Sequence, residues 1–321
     1  MRILVSRTDR LGDVALTLPL CGLLQARLGA TTVFLGRGYT RPLLDASGAV
    51  DEVLDWDAVA GNTFARRRDF LRAARADAVL HVFPRAAIAW GTLAARVPRR
   101  VGTTHRWYHW PTCNVLEPLE RRASPLHEAQ LDVRLARSLL PDADLTLTPA
   151  ELAPFARLAP RVPVAPALAP LLAPDRFVLV VHPRSSGSAG EWPPDRWRAL
   201  VTALDPARFR VLVTGSAAEG AAMRGWLEVL PPHAHDLTGR LALAELIAVL
   251  GAADGVVAAS TGPLHIAALL GRHVLGLYAA VRPVHAGRWG PIGPHAEVIE
   301  AGTVEEIAVA RVLDRVGRWV G

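Results

Sequence analysis

Short apolar runs alternate with helical patterns along almost the whole of this 321-residue chain. Such alternation is typical of βαβ units, in which crossover helices join parallel strands, and it predicts an α/β fold. Pro19 is expected to kink the first helix, Val14–Leu28, or to start it afresh. The expected strands are Ile3–Ser6, Thr32–Leu35, Glu52–Leu54, Ala78–Val82 and Arg100–Gly102 in the first half, and Phe177–His182, Arg210–Thr214, Gly255–Ala259, Val274–Tyr278 and Glu297–Ile299 in the second, with a short strand and turn at Asp236–Gly239.

The alternation stops between residues 149 and 175, where prolines recur too closely for a regular helix. We therefore predict two doubly wound, Rossmann-like domains, over residues 1–155 and 176–303, joined by a proline-rich linker over 156–175. A C-terminal helix over 304–321 is expected to pack back on the first domain. Because such sheets bind ligands at the carboxyl ends of their strands, the expected site is a cleft between the domains.

Arginine supplies all 36 basic residues, and 30 acidic residues leave a formal net charge of +6. The absence of lysine is typical of a GC-rich genome, but it also means that every cationic contact to an anion must come from an arginine. Residues 61–122 hold twelve arginines against four acidic residues, which predicts an anion-binding surface on the first domain. Nucleic acid is not the expected partner, because no recognised binding module or aromatic platform accompanies this charge.

The two cysteines, Cys21 and Cys113, lie far apart and lack metal-ligand spacing, so neither a disulfide framework nor a metal site is expected. A strand begins at Arg2, which leaves no room for a signal peptide, and no apolar run reaches the roughly 18 residues of a transmembrane helix. We expect a cytoplasmic protein without a metal or cofactor. Peripheral contact with the inner membrane surface stays open.

The first motif with chemical content, Arg-Thr-Asp-Arg-Leu-Gly-Asp, runs from Arg7 to Asp13 and opens the first helix. Gly12 lets the backbone come close to a ligand, and Asp13 lies where the first amides of the helix point. Two interpretations stay open. Asp13 is either the N-cap of the helix or a general base for an acceptor hydroxyl.

Two further motifs follow strands of the second half. The loop from Val181 to Pro193 is rich in Ser and Gly, so its amides and hydroxyls suit a diphosphate, with Arg184 as its one basic side chain. The alternative is a flexible crossover loop. Ser-Thr-Gly-Pro, from Ser260, forms a helix start that also suits an anion, and His265 either packs or donates to a phosphate.

At this point the ordered set of motifs resembles glycosyltransferase family 9, the ADP-heptose:lipopolysaccharide heptosyltransferases, over essentially the whole chain. The motifs are the opening Arg-x-Asp-x-x-Gly-Asp-Val, the His-Pro-x-Ser…Trp-Pro loop, Asp236-Leu-Thr-Gly239 with Leu243-Ala-Glu-Leu246, and Thr261-Gly-Pro-Leu-His265. The resemblance implies the GT-B architecture and a metal-independent, inverting transfer. It also implies an ADP-heptose donor in the C-terminal domain and a lipid A–core acceptor on the N-terminal domain.

The resemblance also implies roles for matching residues. Asp13 matches the catalytic base, Ser185 and Ser186 match the phosphate-contacting loop, and Glu219 matches an acid that binds the donor ribose. The start of the diphosphate-binding helix matches Thr261, Gly262, Leu264 and His265. On the acceptor side, His127 matches the first residue of a recurring His-Glu pair. From charge and position we also expect the acceptor to contact Arg10, Gly12, Arg66, Arg67, Arg68 and Arg121.

Two positions depart from the family pattern. Gly190 stands where the family usually has Lys, and Ser260 stands where it usually has Asp. Loss of the Lys removes a cation that would stabilise the leaving diphosphate, and we expect Arg184 to reach the same phosphate. Loss of the Asp removes a carboxylate that could hold sugar hydroxyls.

The run Arg66–Arg68 at a helix start is either a solvated helix face or a cradle for acceptor phosphates and carboxylates. For the whole chain the expected function is an active heptosyltransferase or a relative that uses another nucleotide sugar. The alternatives are a catalytically impaired homologue that still binds nucleotide sugar or glycan, and an epimerase or hydrolase on the same two-domain plan.

Overall fold

The structure is a computed structural model that describes residues 1–121, 124–185, 187 and 190–320, without the side chains of residues 142 and 143. It contains two compact units, Met1–Leu158 and a second that begins at Ala159. The division between them falls inside residues 156–175, the segment predicted to link two domains.

A parallel sheet of six strands is the centre of the first unit. The strands are β1 (Arg2–Ser6), β2 (Thr31–Gly36), β3 (Glu52–Asp55), β4 (Ala78–Leu80), β5 (Arg99–Thr103) and β6 (Val115–Glu117). Their order is β3-β2-β1-β4-β5-β6, so the sheet grows outward from β1 in both directions, which is the doubly wound topology. The sequence predicted every strand of this sheet except β6, which has only three residues.

Seven helices of the first unit are α1 (Leu11–Leu28), α2 (Arg41–Ala46), α3 (Phe64–Ala73), α4 (Ala86–Ala94), α5 (His109–Thr112), α6 (Glu128–Leu135) and α7 (Pro149–Leu152). Right-handed crossovers place α3, α4 and α5 on one face of the sheet, where α3 packs on α4 and α4 on α5. Helices α6 and α7 pack on α1. Each helix that follows a parallel strand begins at the same edge of the sheet, called here the carboxyl edge.

Helix α1 runs without interruption through Pro19, so a restart of the helix at this proline is wrong. Residues 14–24 are all buried, and this packing outweighs the backbone hydrogen bond that Pro19 lacks. Among the described residues α1 is the one helix long and apolar enough to cross a membrane by length and composition. Most of it is buried inside the unit, as in the core helix of a doubly wound domain.

The second unit repeats the architecture of the first. Its strands are β7 (Phe177–His182), β8 (Phe209–Val213), β9 (Ala234–Asp236), β10 (Gly255–Ala259), β11 (His273–Ala279) and β12 (Ala296–Ala301), in the order β12-β11-β10-β7-β8-β9 and all parallel. Its helices are α8 (Pro194–Ala203), α9 (Ala217–Ala222), α10 (Arg224–Leu227), α11 (Leu243–Ala252), α12 (Gly262–Leu269), α13 (Ala286–Trp289) and α14 (Val309–Gly317). The two α/β units confirm the predicted fold class.

The C-terminal segment is part of the second unit. The stretch predicted as one helix, 304–320, is a 3-10 turn at Val304–Glu306 followed by α14. Val312 and Val316 of α14 are fully buried in the core that also contains Trp192 and Trp197. These apolar side chains therefore complete the core of the second unit. Packing of the C-terminal helix on the first domain stays a prediction.

Candidate active site

Asp13 lies in the first turn of α1, at the carboxyl edge of the first sheet. The N-cap position is occupied by Arg10, so the interpretation of Asp13 as the N-cap is wrong. The Asp13 carboxylate accepts a hydrogen bond from Arg7 Nη2 at 2.7 Å, and its side chain is 19% exposed. Asp13 is therefore held from one side while its carboxylate remains open to a ligand.

Arg7 is the centre of a buried ion cluster. Its side chain is only 3% exposed, and it contacts four carboxylates at once. Besides Asp13, its Nε donates to Asp9 at 3.0 Å, and its Nη1 donates to Glu128 at 3.1 Å and to Asp132 at 3.3 Å. Because Glu128 and Asp132 come from α6, this arginine connects α6 to the start of α1.

The far side of the cluster is closed by Arg121 and Thr17. Arg121 pairs with Glu128 and donates to Asp132 at 3.2 Å, while the Thr17 hydroxyl donates to Asp132 at 2.7 Å. The observed contacts of Arg121 are therefore with residues of its own unit, and a contact of Arg121 with the acceptor stays a prediction. The cluster brings four carboxylates together with two guanidinium groups, so its formal charge is negative.

Burial sets the protonation behaviour of the cluster. It raises the pKa of both Asp9 and Asp132 to about 6, although the Arg7 charge acts in the opposite direction. Burial also disfavours the charge on Arg7, but the four carboxylates outweigh it and hold the pKa of Arg7 well above its ordinary value. Arg7 therefore remains a cation beside Asp13 over the whole physiological pH range.

The other predicted acceptor residues are spread along the first unit. His127 is 95% buried as the N-cap of α6, and its Nδ1 accepts from the Ala129 amide at 3.2 Å, so its observed contact is structural. Arg10 and Arg66 are exposed, whereas Arg67 and Arg68 are half-buried. Arg68 pairs with Asp69 at 2.8 Å in α3. Gly12 is beside Asp13 in α1.

In the second unit, the hydrogen-bond donors of the loop after β7 bind a carboxylate of the same loop, that of Glu191. Glu191 accepts from the Ser185 amide at 2.8 Å and from its hydroxyl at 3.1 Å, and it pairs with Arg184 at 2.9 Å. These are the groups predicted to bind phosphate, and they converge on one anion. Ser186 lies outside the described residues.

The start of α12 forms the second predicted phosphate contact. Thr261 is the N-cap residue and is 94% buried, yet no described group hydrogen-bonds its hydroxyl. Gly262 and a proline open the helix, and Leu264 and His265 are buried within its first turns. A buried hydroxyl and open amides at a helix N-terminus are suited to an anionic ligand.

Two further predicted donor residues have structural contacts. Ser260 hydrogen-bonds the hydroxyl of Tyr278, which also donates to the Trp289 carbonyl at 2.7 Å. Glu219 is the third residue of α9, where its carboxylate accepts from the Ser216 amide at 2.7 Å in a capping box. A ribose contact by Glu219 stays a prediction.

Comparison with known proteins identifies the family. The profile of glycosyltransferase family 9 (heptosyltransferase) matches residues 127–318, more than half of the chain. The chain belongs to glycosyltransferase family 9. A sequence search of curated proteins finds no match.

Solved structures of family 9 glycosyltransferases share the fold over the full chain. The E. coli ADP-heptose LPS heptosyltransferase II is 23% identical, with a TM-score of 0.77 over 100% of this chain and 98% of that one. A family 9 glycosyltransferase from Veillonella parvula DSM 2008 is 16% identical, with a TM-score of 0.82 over 99% and 97%. E. coli heptosyltransferase WaaC with ADP is 21% identical, with a TM-score of 0.74 over 99% and 100%. These likenesses confirm the GT-B fold.

The roles of four residues of this family 9 chain were not anticipated from its sequence. Arg7 contacts the predicted base, Asp9 and Asp132 contact Arg7, and Glu191 accepts from Ser185 in the predicted phosphate loop. Arg7 and Asp9 belong to the motif that runs from Arg7 to Asp13, but Asp132 is more than 100 residues from this motif in sequence. Only the packing of α6 on α1 brings it close.

Proposed function

We propose that this family 9 glycosyltransferase transfers a heptose from ADP-heptose to an anionic, lipid-linked core glycan of lipopolysaccharide, with Asp13 as general base. The observation that carries the proposal is the Asp13 carboxylate, fixed by buried Arg7 and partly exposed at the carboxyl edge of the sheet. Ligands of doubly wound sheets bind at that edge.

In the proposed reaction, the Asp13 carboxylate takes the proton of an acceptor hydroxyl as its oxygen attacks the anomeric carbon of the donor sugar. The bond from that carbon to the diphosphate breaks, ADP leaves with the electron pair, and attack from the opposite face inverts the configuration. The developing charge on ADP is stabilised by Thr261, the first amides of α12, Ser185 and Arg184.

Replacement of Thr261 by Val tests the donor site. The hydroxyl makes no intramolecular hydrogen bond with a described group, so its loss should leave the melting temperature unchanged while ADP binds about tenfold more weakly. Calorimetric titration with ADP measures the effect. Thr148→Val is the matched control, because Thr148 caps α7 through the Glu151 amide. This control should lower the melting temperature and leave ADP affinity unchanged. Unchanged ADP affinity in Thr261→Val would exclude Thr261 from the donor site.

Glu191 should compete with the donor diphosphate, because its carboxylate occupies Ser185 and Arg184. We expect Glu191→Gln to strengthen ADP binding several-fold and Arg184→Ala to weaken it, each measured by titration at low salt. Asp195→Asn is a control with the same change of net charge at an exposed position of α8. Unchanged ADP affinity and turnover in Arg184→Ala would remove Arg184 as the replacement for the missing family Lys.

The alternative function is an impaired homologue that binds nucleotide sugar without transferring it, which Gly190 and Ser260 favour because they lack the family's Lys and Asp. Melting shifts with ADP-, GDP- and UDP-sugars identify the nucleotide. Transfer assays with ADP-heptose then decide between the two functions. A large shift with ADP-heptose but no transfer or hydrolysis would establish the impaired homologue.

A further inference from the structure

Two tryptophans of the first unit are presented to solvent rather than to its core. Trp107 is 74% exposed and Trp110 is 62% exposed, and both follow β5 at the carboxyl edge of the sheet. Large indole rings dominate cores and interfaces when they are buried, so two adjacent exposed rings mark an interaction surface.

The local structure holds these rings in place. The indole nitrogen of Trp110 donates to the Thr104 carbonyl at 3.1 Å, which leaves its apolar face outward. Trp107 packs edge-on against Tyr108, with ring centroids 5.7 Å apart. Between them His109 is fully buried and accepts from the Thr103 amide at 2.9 Å, so the segment is anchored to β5.

Basic rather than acidic residues accompany the exposed rings in sequence. No acidic residue occurs between Asp77 and Glu117 in sequence, and exposed Arg106 directly precedes Trp107. At the start of α3, on the same edge and the same face of the sheet, Phe64 is 46% exposed and Arg66 is exposed. Acidic side chains are present at the margin, where Asp69 pairs with Arg68 and Glu120 lies 4.0 Å from His105.

We propose that Phe64, Arg66, Arg106, Trp107 and Trp110 form a docking surface for an anionic phospholipid bilayer. Indole rings favour the boundary between headgroups and acyl chains, and arginines favour the negative potential of anionic lipid. The inference rests on the proposed function, in which Asp13 is the general base. Helix α1, which carries Asp13 in its first turn, begins at the same edge of the sheet. Docking there keeps the glycan of a lipid-linked acceptor near Asp13 while its acyl chains stay in the bilayer.

Exposed aromatic rings also stack on sugars, so a glycan subsite is the competing occupant. Arg66 and Arg106 complement the phosphates of either anionic occupant. The large exposed fractions of Trp107 and Trp110 favour the bilayer, because indole rings partition to the boundary between headgroups and acyl chains. The two occupants also differ in what they require: a bilayer is bound without any acceptor, and a glycan subsite is needed even when the acceptor has no acyl chains.

The first experiment measures binding of the full chain to phosphatidylcholine vesicles with and without phosphatidylglycerol, in the absence of acceptor and donor. We expect binding only to the anionic vesicles, weakened by high salt, and weakened about tenfold or more in Trp107→Ser/Trp110→Ser. The control is Val229→Ser/Val281→Ser, which removes exposed apolar side chains of the second unit. Equal vesicle binding by the tryptophan variant and the wild type, or no binding by the wild type, would overturn the inference.

The second experiment compares transfer to a vesicle-embedded acceptor with transfer to the same glycan after its acyl chains are removed. The tryptophan variant should show a raised KM for the embedded acceptor and an unchanged kcat/KM for the water-soluble glycan. An equal loss with both acceptors would replace the bilayer surface by a glycan subsite. If no acceptor is glycosylated but anionic vesicles are still bound through the tryptophans, the proposed function fails and the docking surface stands.

Discussion

Asp13→Asn is expected to lower kcat for heptose transfer by roughly 10²–10⁴-fold, the usual contribution of a positioned general base. The amide keeps the size of the side chain and can still contact Arg7, but it cannot accept the proton of the acceptor hydroxyl. ADP affinity should be unchanged, because the proposed donor contacts come from Ser185, Thr261 and their neighbours in the second unit. Single-turnover transfer and calorimetric titration with ADP measure the two quantities separately.

The matched control is Asp45→Asn, which removes one carboxylate from the same unit at an exposed position of α2, where it pairs with Arg41. This variant should transfer heptose at the wild-type rate. A kcat within a few-fold of wild type in Asp13→Asn would show that another group is the base. Loss of ADP affinity in that variant would instead place Asp13 in donor binding.

The architecture of each unit could be predicted because strand and helix patterns are local properties of the sequence. Errors arose where tertiary packing overrides local preference. Pro19 lies inside α1 because burial on all sides stabilises the helix, and β6 pairs with β5 although its three residues carry almost no pattern. The contribution of Val312 and Val316 to the core of the second unit could not be predicted either, because an apolar stripe does not specify its partner.

The candidate site could be predicted only in part, because local patterns locate its residues but tertiary packing sets their contacts. Asp13 and Thr261 are recognisable because each follows a strand and opens a helix, which places it at a carboxyl edge. The contacts of Asp13 were not recognisable, since Asp132 reaches Arg7 only through the packing of α6 on α1. Arg121 was assigned to the acceptor on charge alone, and its contacts with Glu128 and Asp132 could not be read from its position in the sequence.

The buried cluster makes Arg7 a positioning residue for Asp13, and its removal should have the largest effect on stability. Arg7→Met removes the cation that pairs with Asp9 and Asp13 and leaves Glu128 and Asp132 with Arg121 alone. We expect it to reduce the free energy of unfolding by about 3–5 kcal/mol. Denaturant unfolding measures this loss. Arg7→Met/Asp132→Asn should recover part of it, because the excess negative charge of the buried cluster is then smaller by one.

Arg7→Lys separates positioning of Asp13 from support of the fold. Lysine keeps the positive charge but lacks the planar fork with which Arg7 contacts four carboxylates, so it cannot hold Asp13 and α6 together. We expect a folded variant with lower kcat and unchanged ADP affinity, because the Asp13 carboxylate is no longer held in place by the Arg7 fork. A purely structural role predicts a different result: any folded variant would keep the wild-type kcat.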